Sequence, residues 1–266
     1  MNTVPRADST HRRMLPAQLL SSVALVLALL AGCMPVQPTA TNLATNEAIT
    51  LRFAISDEQG KPQIDPYVDE FVAQAHALSQ GSITIEPIWD GGRGTTDGYE
   101  KGVIQLVRQG KFDVGLASAR TWDTQGIPNF QVLQAPFLIT NDALAEAVAT
   151  SEIATRILNS LSPAGVVGLT LWPEDLRHPF SVVADKPLLA PQDFVGAQIR
   201  TPLSDLSYQL IKALGARPMS EDSGYQGAES GLRQGGTLNG KPIATGNVTF
   251  FPKYQVLFAN AAAFAR

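Results

Sequence analysis

The chain has 266 residues, 44% hydrophobic and 17% charged, with 20 Lys+Arg against 24 Asp+Glu, a single cysteine and a mean hydropathy of +0.02. One short apolar run excludes a multi-span membrane protein, and the apolar content excludes a disordered chain. A net charge of -4 with a pI near 5.4 supplies no basic footprint for nucleic acid, and one cysteine rules out both an intrachain disulfide and a Cys-rich zinc site.

At the N-terminus Arg6, Arg12 and Arg13 precede the apolar run Leu19 to Leu30, which closes at Leu30-Ala31-Gly32-Cys33. A positive region, an apolar stretch too short to span a bilayer and small residues at the end are the layout of a secretory signal. The segment resembles a bacterial lipoprotein signal, which implies lipidation of Cys33 and a membrane held through that anchor. The alternative is a plain signal peptide or uncleaved anchor with Cys33 incidental. Removal of residues 1–32 takes away three arginines and Asp8, so the formal net charge moves from -4 to -6. From Met34 to about Ala48 the Pro, Thr, Asn and Ala content lacks periodicity and reads as a flexible tether.

Beyond it, Ile49, Leu51, Phe53 and Ile55 alternate as in a strand. Asp65-Pro66 reads as the start of a helix with Tyr67, Phe71, Ala75 and Leu78 on one face, ended by Gly81. A strand over Ile83–Ile88 follows, then an Asp97/Glu100 capping box opening a helix with Tyr99, Val103, Leu106 and Val107 as its stripe, then a strand from Phe112 to Ala117. A helical stretch is predicted over Asn141 to Leu161, an apolar run over Gly165 to Trp172, and a strand from Arg177 to Val183. A short strand ends at Arg200 and a helix spans about Ser204 to Leu214. The patterns near Tyr225–Leu232 and Thr249–Asn260 read as helical. Alternation of this kind predicts an α/β fold with a mostly parallel sheet covered on both faces. The Pro-rich middle, with Pro163, Pro173, Pro179, Pro187 and Pro191, marks the crossover between two lobes.

Catalytic and cofactor signatures are scarce. The chain beyond residue 32 has two histidines, His76 and His178, without HExxH, and no GxSxG or GxxxxGK[ST] motif. Gly91-Gly92-Arg93-Gly94 lacks dinucleotide-binding spacing and reads as a loop. No cofactor is expected. Glu174, Asp175 and His178 leave open the alternative of a periplasmic enzyme on an acidic small molecule. Arg177 and Arg200 stand out because each falls at or just past a strand end, where open α/β sheets bind ligands. A guanidinium there takes a carboxylate in two parallel hydrogen bonds; a surface salt bridge is the competing reading.

From about Leu51 to Ala263 the chain resembles the DctP-type solute-binding proteins of tripartite ATP-independent periplasmic (TRAP) transporters. The carriers are LRFA with its helix, SQGSITIEP, Tyr99-Glu100-Lys101-Gly102 through QLVRQGKFDVGLAS, QAPFLITNDALAEA, and LGARPM followed by GYQGAESGLRQG. WPEDLR resembles the family's W-x-N-G-x-R and LLAPQDFVGAQIRTP its P-x-D-x-x-G-x-K-x-R-x-P. The resemblance implies Arg200 as the partner of a ligand carboxylate and Arg177 as a helper. Trp172 and Trp122 are candidate cleft walls, with ordinary core packing as the alternative, and Ser118 is a further candidate contact. Where the family has D-G-x-E-N this chain has Asn239-Gly240-Lys241-Pro242-Ile243, and Asn247 is the expected replacement for the missing polar contact.

The implied organisation is a signal over 1–32, a tether over 33–48, lobe I over 49–175, an incomplete lobe II over 176–235 and a return segment over 236–266. The implied fold is a two-lobed periplasmic solute-binding protein, shortened at its C-terminal part, with parallel sheets joined by crossover strands. Missing cover over lobe II is expected to expose Phe250, Phe251 and Phe258. The implied function is capture of a small organic acid by lobe closure and delivery to TRAP membrane subunits, without enzymatic activity and without nucleic acid as partner. The binding lobe of an ABC importer or a sensor is the alternative within the binding class.

Overall fold

The computed structural model of the chain describes residues 48–60, 64–95, 99–183, 186–220, 224–230, 237–238, 241–242, 244–245 and 248–266. Cys33, the tether up to Glu47, Asp97, Asn239, Gly240, Ile243 and Asn247 therefore lie outside the described residues. In chain order the strands are β1 (Ile49–Ile55), β2 (Ile83–Ile88), β3 (Val114–Ser118), β4 (Val166–Ser181), β5 (Gln198–Arg200), β6 (Arg217–Met219), β7 (Gly227–Ser230), β8 (Thr237–Leu238), β9 (Lys241–Pro242), β10 (Ala244–Thr245) and β11 (Phe251–Asn260). The helices are α1 (Asp65–Leu78), α2 (Tyr99–Arg108), α3 (Asp142–Ala149), α4 (Glu152–Asn159), α5 (Asp205–Ala213) and α6 (Ala261–Phe264), with 3₁₀ turns over Ala119–Gln125 and Pro128–Gln134.

The main sheet runs β2-β1-β3-β11-β4-β7-β5-β6, with β10 on β4, and β8 pairs with β9. Its two wings are parallel, β2-β1-β3 on one side and β7-β5-β6 on the other. Two antiparallel strands, β11 and β4, join them. This is the α/β arrangement of parallel sheets linked by crossover strands. The helices of the wings follow from local signals. Asn141, Ser151 and Ser204 each accept an N–H of the first turn, from Leu144 at 2.9 Å, Ala154 at 3.3 Å and Ser207 at 3.4 Å, which satisfies donors that no helix can satisfy internally.

Several elements differ from the sequence reading. The helical stretch over Asn141 to Leu161 is two helices, because Thr150 and Ser151 end one and cap the next. Asp65 lies inside α1, whose cap position Ile64 makes no side-chain bond; the Asp65 carboxylate accepts the Gly60 N–H at 2.7 Å. The stripe of α1 is Val68, Phe71, Val72 and Ala75, while Tyr67 and Leu78 are exposed. In α2 the buried face is Gly102, Val103, Ile104 and Val107, with Tyr99 exposed. The run from Gly165 and the strand from Arg177 are one continuous strand, β4. Pro173 stands opposite Tyr254 at a register shift where β4 carries one residue more than β11, so the proline is absorbed at a bulge of its own strand.

The two expected helices at the C-terminal end are strands. Gly227–Ser230 is β7, hydrogen-bonded between β4 and β5. The predicted helix over Thr249–Asn260 is β11, the central strand, and its residues serve three cores at once. Tyr254, Val256 and Phe258 pack with Val103, Trp122 and Phe130. Leu257 and Ala259 pack with Phe53, Val68 and Leu116 on the opposite face. Phe250 and Phe251 pack with Phe194, Ile199 and Ile211. The expectation of an uncovered surface is thereby corrected, since Phe250, Phe251 and Phe258 are at most 2% exposed. At about 1.5–3 kcal/mol per fully buried large side chain, this strand is a principal source of the fold's stability.

The glycine-rich loop has a packing role. Gly91 donates to the Ile55 carbonyl at 2.8 Å, and a Cβ on Gly92 would fall 2.0 Å from the Tyr99 carbonyl oxygen. The loop lies against the start of α2, and Arg93 pairs with Asp90 and Glu58 at the surface.

Candidate functional site

The polar centre of the molecule begins where β3 ends. β3 is wholly buried, and at Ser118 the chain turns into the 3₁₀ segment Ala119–Gln125. In a 3₁₀ turn residues three apart point the same way, so Arg120 and Asp123 reach out together. Both are buried, each 8% exposed. Asp123 accepts the Ser204 hydroxyl at 2.7 Å and the Leu206 N–H at 3.3 Å, which places its charge at the positive N-terminus of α5. Arg120 Nη1 donates to Glu229 Oε1 at 2.5 Å.

Glu229 is the hub. On β7 it stands opposite Pro179 of β4, and Arg177, two residues before that proline, is its diagonal neighbour on the same face. Arg177 donates Nε–H to Glu229 Oε2 and Nη2–H to the Glu229 backbone carbonyl, the latter at 2.9 Å. The Glu229 side chain is 2% exposed. Burial alone would raise its pKa, but the charges of Arg177 and Arg120 and their hydrogen bonds outweigh burial and bring it down to about 2. The same pairing, with Glu229 ahead of Glu100, overcomes the desolvation of Arg120 and raises its pKa above the ordinary value.

Glu100 forms a second, half-buried node. Its Oε1 accepts both the N–H (3.1 Å) and the hydroxyl (2.5 Å) of Ser118, and its Oε2 accepts the Thr121 hydroxyl at 2.5 Å. Burial raises its pKa, and the charges of Lys253 and Arg120 with these hydroxyl bonds bring it below the ordinary value. The carboxylate expected in a capping box thus ties α2 to the end of β3. Lys253 pairs with Glu174 at 2.6 Å, and Glu174 also accepts from Gln255 at 3.0 Å. Three cations, Arg120, Arg177 and Lys253, are matched by three carboxylates. Beside them a cavity of about 10 Å³, room for roughly one water, is lined by Ser118, Arg120, Gln134, Lys253 and the backbone around it. Arg120 Nε and both amide atoms of Gln134 are buried there without a hydrogen-bond partner among the described residues.

The expected site residues divide accordingly. Ser118 and Arg177 belong to this cluster, but Arg177 meets a carboxylate of its own chain. Arg200, half-buried, ends β5 with its Cα level with Ala228 and Met219. Trp122 packs as a core residue: it is fully buried, stacked on Phe130 at 6.0 Å and edge-on to Phe258 at 4.9 Å. Trp172 is half-buried and meets exposed Tyr67 edge-on at 5.4 Å. His178 is buried with Nδ1 3.1 Å from the Val248 carbonyl, and Glu174 is bound to Lys253, so these two are held in structural contacts while Asp175 is exposed. Sequence reasoning missed Arg120, Glu229, Gln134 and Lys253. Arg120 left a trace, as the one charged residue in the run Val114 to Trp122.

Parallel wings joined by the antiparallel strands β4 and β11 thus carry a buried Arg–Glu cluster at their junction. The family described as bacterial extracellular solute-binding protein, family 7 (DctP), matches residues 53–224, more than half of the chain. The chain belongs to this family. It is 24% identical over 168 residues to the C4-dicarboxylate-binding periplasmic protein DctP of Rhodobacter capsulatus, covering 62% of this chain and 48% of that one. The chain spans about half, or less, of the length of the curated relatives it matches. Its fold is that of TRAP periplasmic solute-binding proteins. One, from Xanthobacter autotrophicus with bound β-D-galacturonate, matches with a TM-score of 0.63 and 22% identity over 81% of this chain and 73% of that one. Another, from Sulfurospirillum deleyianum with bound succinate, matches with a TM-score of 0.64 and 18% identity over 83% and 72%. Among the described residues no helix is long and apolar enough to cross a membrane.

Proposed function

We propose that this protein captures a small organic acid outside the cytoplasm and delivers it to TRAP transporter membrane subunits. Lobe I over 49–175 and lobe II over 176–235 close on the ligand, with residues 236–266 returning to lobe I, and β4 and β11 carry the bend between the wings. Arg200 takes the ligand carboxylate in a bidentate pair that strengthens as closure removes water. Cys33 carries the lipid that keeps the protein at the membrane, and acylation by more than one chain supplies durable anchoring. The observation that carries the reading is the family match, together with Arg200 at the carboxyl end of β5, the position at which α/β sheets present ligand-binding groups. Proteins of the same fold hold galacturonate and succinate, both carboxylates.

The test is a thermal-shift and calorimetric screen of sugar acids, keto acids and dicarboxylates. A saturable stabilisation by at least one acid, lost in Arg200→Ala, is expected. A folded protein stabilised by none of them, or an Arg200→Ala variant with an unchanged response, refutes the reading. Palmitate labelling of the full chain, abolished by Cys33→Ser, checks the anchor.

A further inference from the structure

We propose that Glu229 fills, from within the chain, a two-arginine carboxylate seat formed by Arg120 and Arg177, and so restricts the protein to acids with a single carboxylate. The inference rests on the carboxylate-capture reading for its ligand class, while the seat itself stands on the geometry. The Glu229 carboxylate receives one N–H on each oxygen, from Arg120 and from Arg177. The donors come from two separate elements, the turn after β3 and strand β4, and converge as they would on the carboxylate of a bound acid. Arg177 is further committed by its bond to the backbone carbonyl of the same glutamate.

An external carboxylate has no place beside this arrangement, for two reasons. The adjoining cavity has room for about one water. A second anion would also lie near Glu229 and Glu100 in a buried setting where the three cations already face three carboxylates, so it would meet like charge with little screening. An acid with one carboxylate and a neutral remainder escapes this penalty, while a dicarboxylate that brings its second charge to this seat must displace Glu229. Arg120 Nε and Gln134, both lining the cavity, retain free hydrogen-bonding capacity among the described residues, so a small anion entering in place of the Glu229 side chain would find additional donors.

The experiment uses the full chain, Glu229→Ala and Glu229→Gln, with circular dichroism as the folding control. Sodium formate is titrated against sodium chloride at matched ionic strength, and succinate is compared with galacturonate by calorimetry. In the wild type, formate acts no differently from chloride and succinate binds at least tenfold more weakly than galacturonate. In Glu229→Ala, millimolar formate produces a saturable rise in Tm of several degrees, absent when Arg120→Ala is added. In both Glu229 variants succinate affinity rises at least tenfold and galacturonate affinity changes less than threefold. Glu229→Gln keeps the side chain's size but, being neutral, no longer competes as an anion for Arg120 and Arg177 and can be displaced by an incoming carboxylate, so it carries the succinate comparison if Glu229→Ala does not fold. Equal wild-type affinity for succinate and galacturonate overturns the proposal, as does a folded variant pair that gains neither formate nor succinate. A formate response in Glu229→Ala with no acid bound by any variant upholds the seat and removes the capture reading.

Discussion

Replacing Glu229 with Gln tests how much of the stability depends on the buried ion triad and at what pH. The folded-state carboxyl titrates at about 2 against an ordinary 4.5. A folded pKa below the unfolded one means a contribution that is complete above pH 4.5 and is lost as pH falls toward 2. At about 1.4 kcal/mol for each tenfold difference in proton affinity, the interval corresponds to about 3 kcal/mol at pH 7, the lower end of the roughly 3–5 kcal/mol for breaking a buried pair. Linkage places the loss at about 2 of those 3 kcal/mol by pH 3. Glu229→Gln lacks this titration, so its deficit against wild type is expected to be about 3 kcal/mol at pH 7 and to narrow to about 1 kcal/mol at pH 3. Glu100 shifts in the same direction but is common to both proteins, so the difference isolates Glu229. Urea unfolding at pH 7, 5, 4 and 3, followed by circular dichroism and by the fluorescence of the three tryptophans, gives the comparison where the two probes coincide. A deficit that stays constant from pH 7 to 3, or is absent at pH 7, refutes the assignment of the triad as the source of the shift.

Three other substitutions probe the frame around the site. Gly92→Ala puts a methyl group 2.0 Å from the Tyr99 carbonyl oxygen, and denaturant unfolding is expected to show a loss of about 3 kcal/mol or more, since backbone rather than a flexible side chain must yield. Asp123→Ala removes the acceptor of the Ser204 hydroxyl and the Leu206 N–H. A loss of about 1–3 kcal/mol is expected, and Asp123→Asn is expected to recover part of it. Tyr254→Phe deletes the hydroxyl bond to the Ala145 carbonyl at 2.9 Å, at a cost of about 1 kcal/mol by thermal unfolding at pH 7. The Tyr254 hydroxyl is pushed up by burial to about 12 from an ordinary 10.0, so wild-type stability falls as pH rises beyond 10, where only the unfolded chain ionises; the phenylalanine variant is expected to lose that part of the decline.

How far the fold was legible follows from where burial is one-sided. Strands β1 and β2 alternate because each has a polar side, and α3 and α5 announce their starts through Asn141 and Ser204, whereas the Ser151 start of α4 is hidden inside what reads as one helix. Strand β11 is buried along almost its whole length, so apolar residues occupy both faces and neither a period of two nor one of 3.6 survives in its sequence. Strand β4 was broken in the reading at Pro173, because proline ordinarily excludes a central strand. The bulge in β4 beside Pro173, where three residues of β4 face two of β11, is a property of the pair and has no signature in either strand alone. The Asp97/Glu100 spacing fitted a capping box, yet Ser118 and Thr121, 18 and 21 residues away, hold the glutamate.

The site was harder to read for a related reason. Glu229 is 109 residues from Arg120 and 52 from Arg177, so no local pattern links the three, and each arginine considered alone looks available for a ligand. An arginine taken into the interior cannot stand without an anion, because the cost of desolvating it is several kcal/mol. The chain must then supply that anion itself or leave the task to what it binds. Arg177 and Arg120 fall in the first class by virtue of Glu229, as Lys253 does by virtue of Glu174. An arginine at a strand end therefore signals a ligand only after the carboxylates of its neighbouring strands have been assigned. In this protein it is the glutamate of β7, read at first as part of a helix, that already holds Arg177.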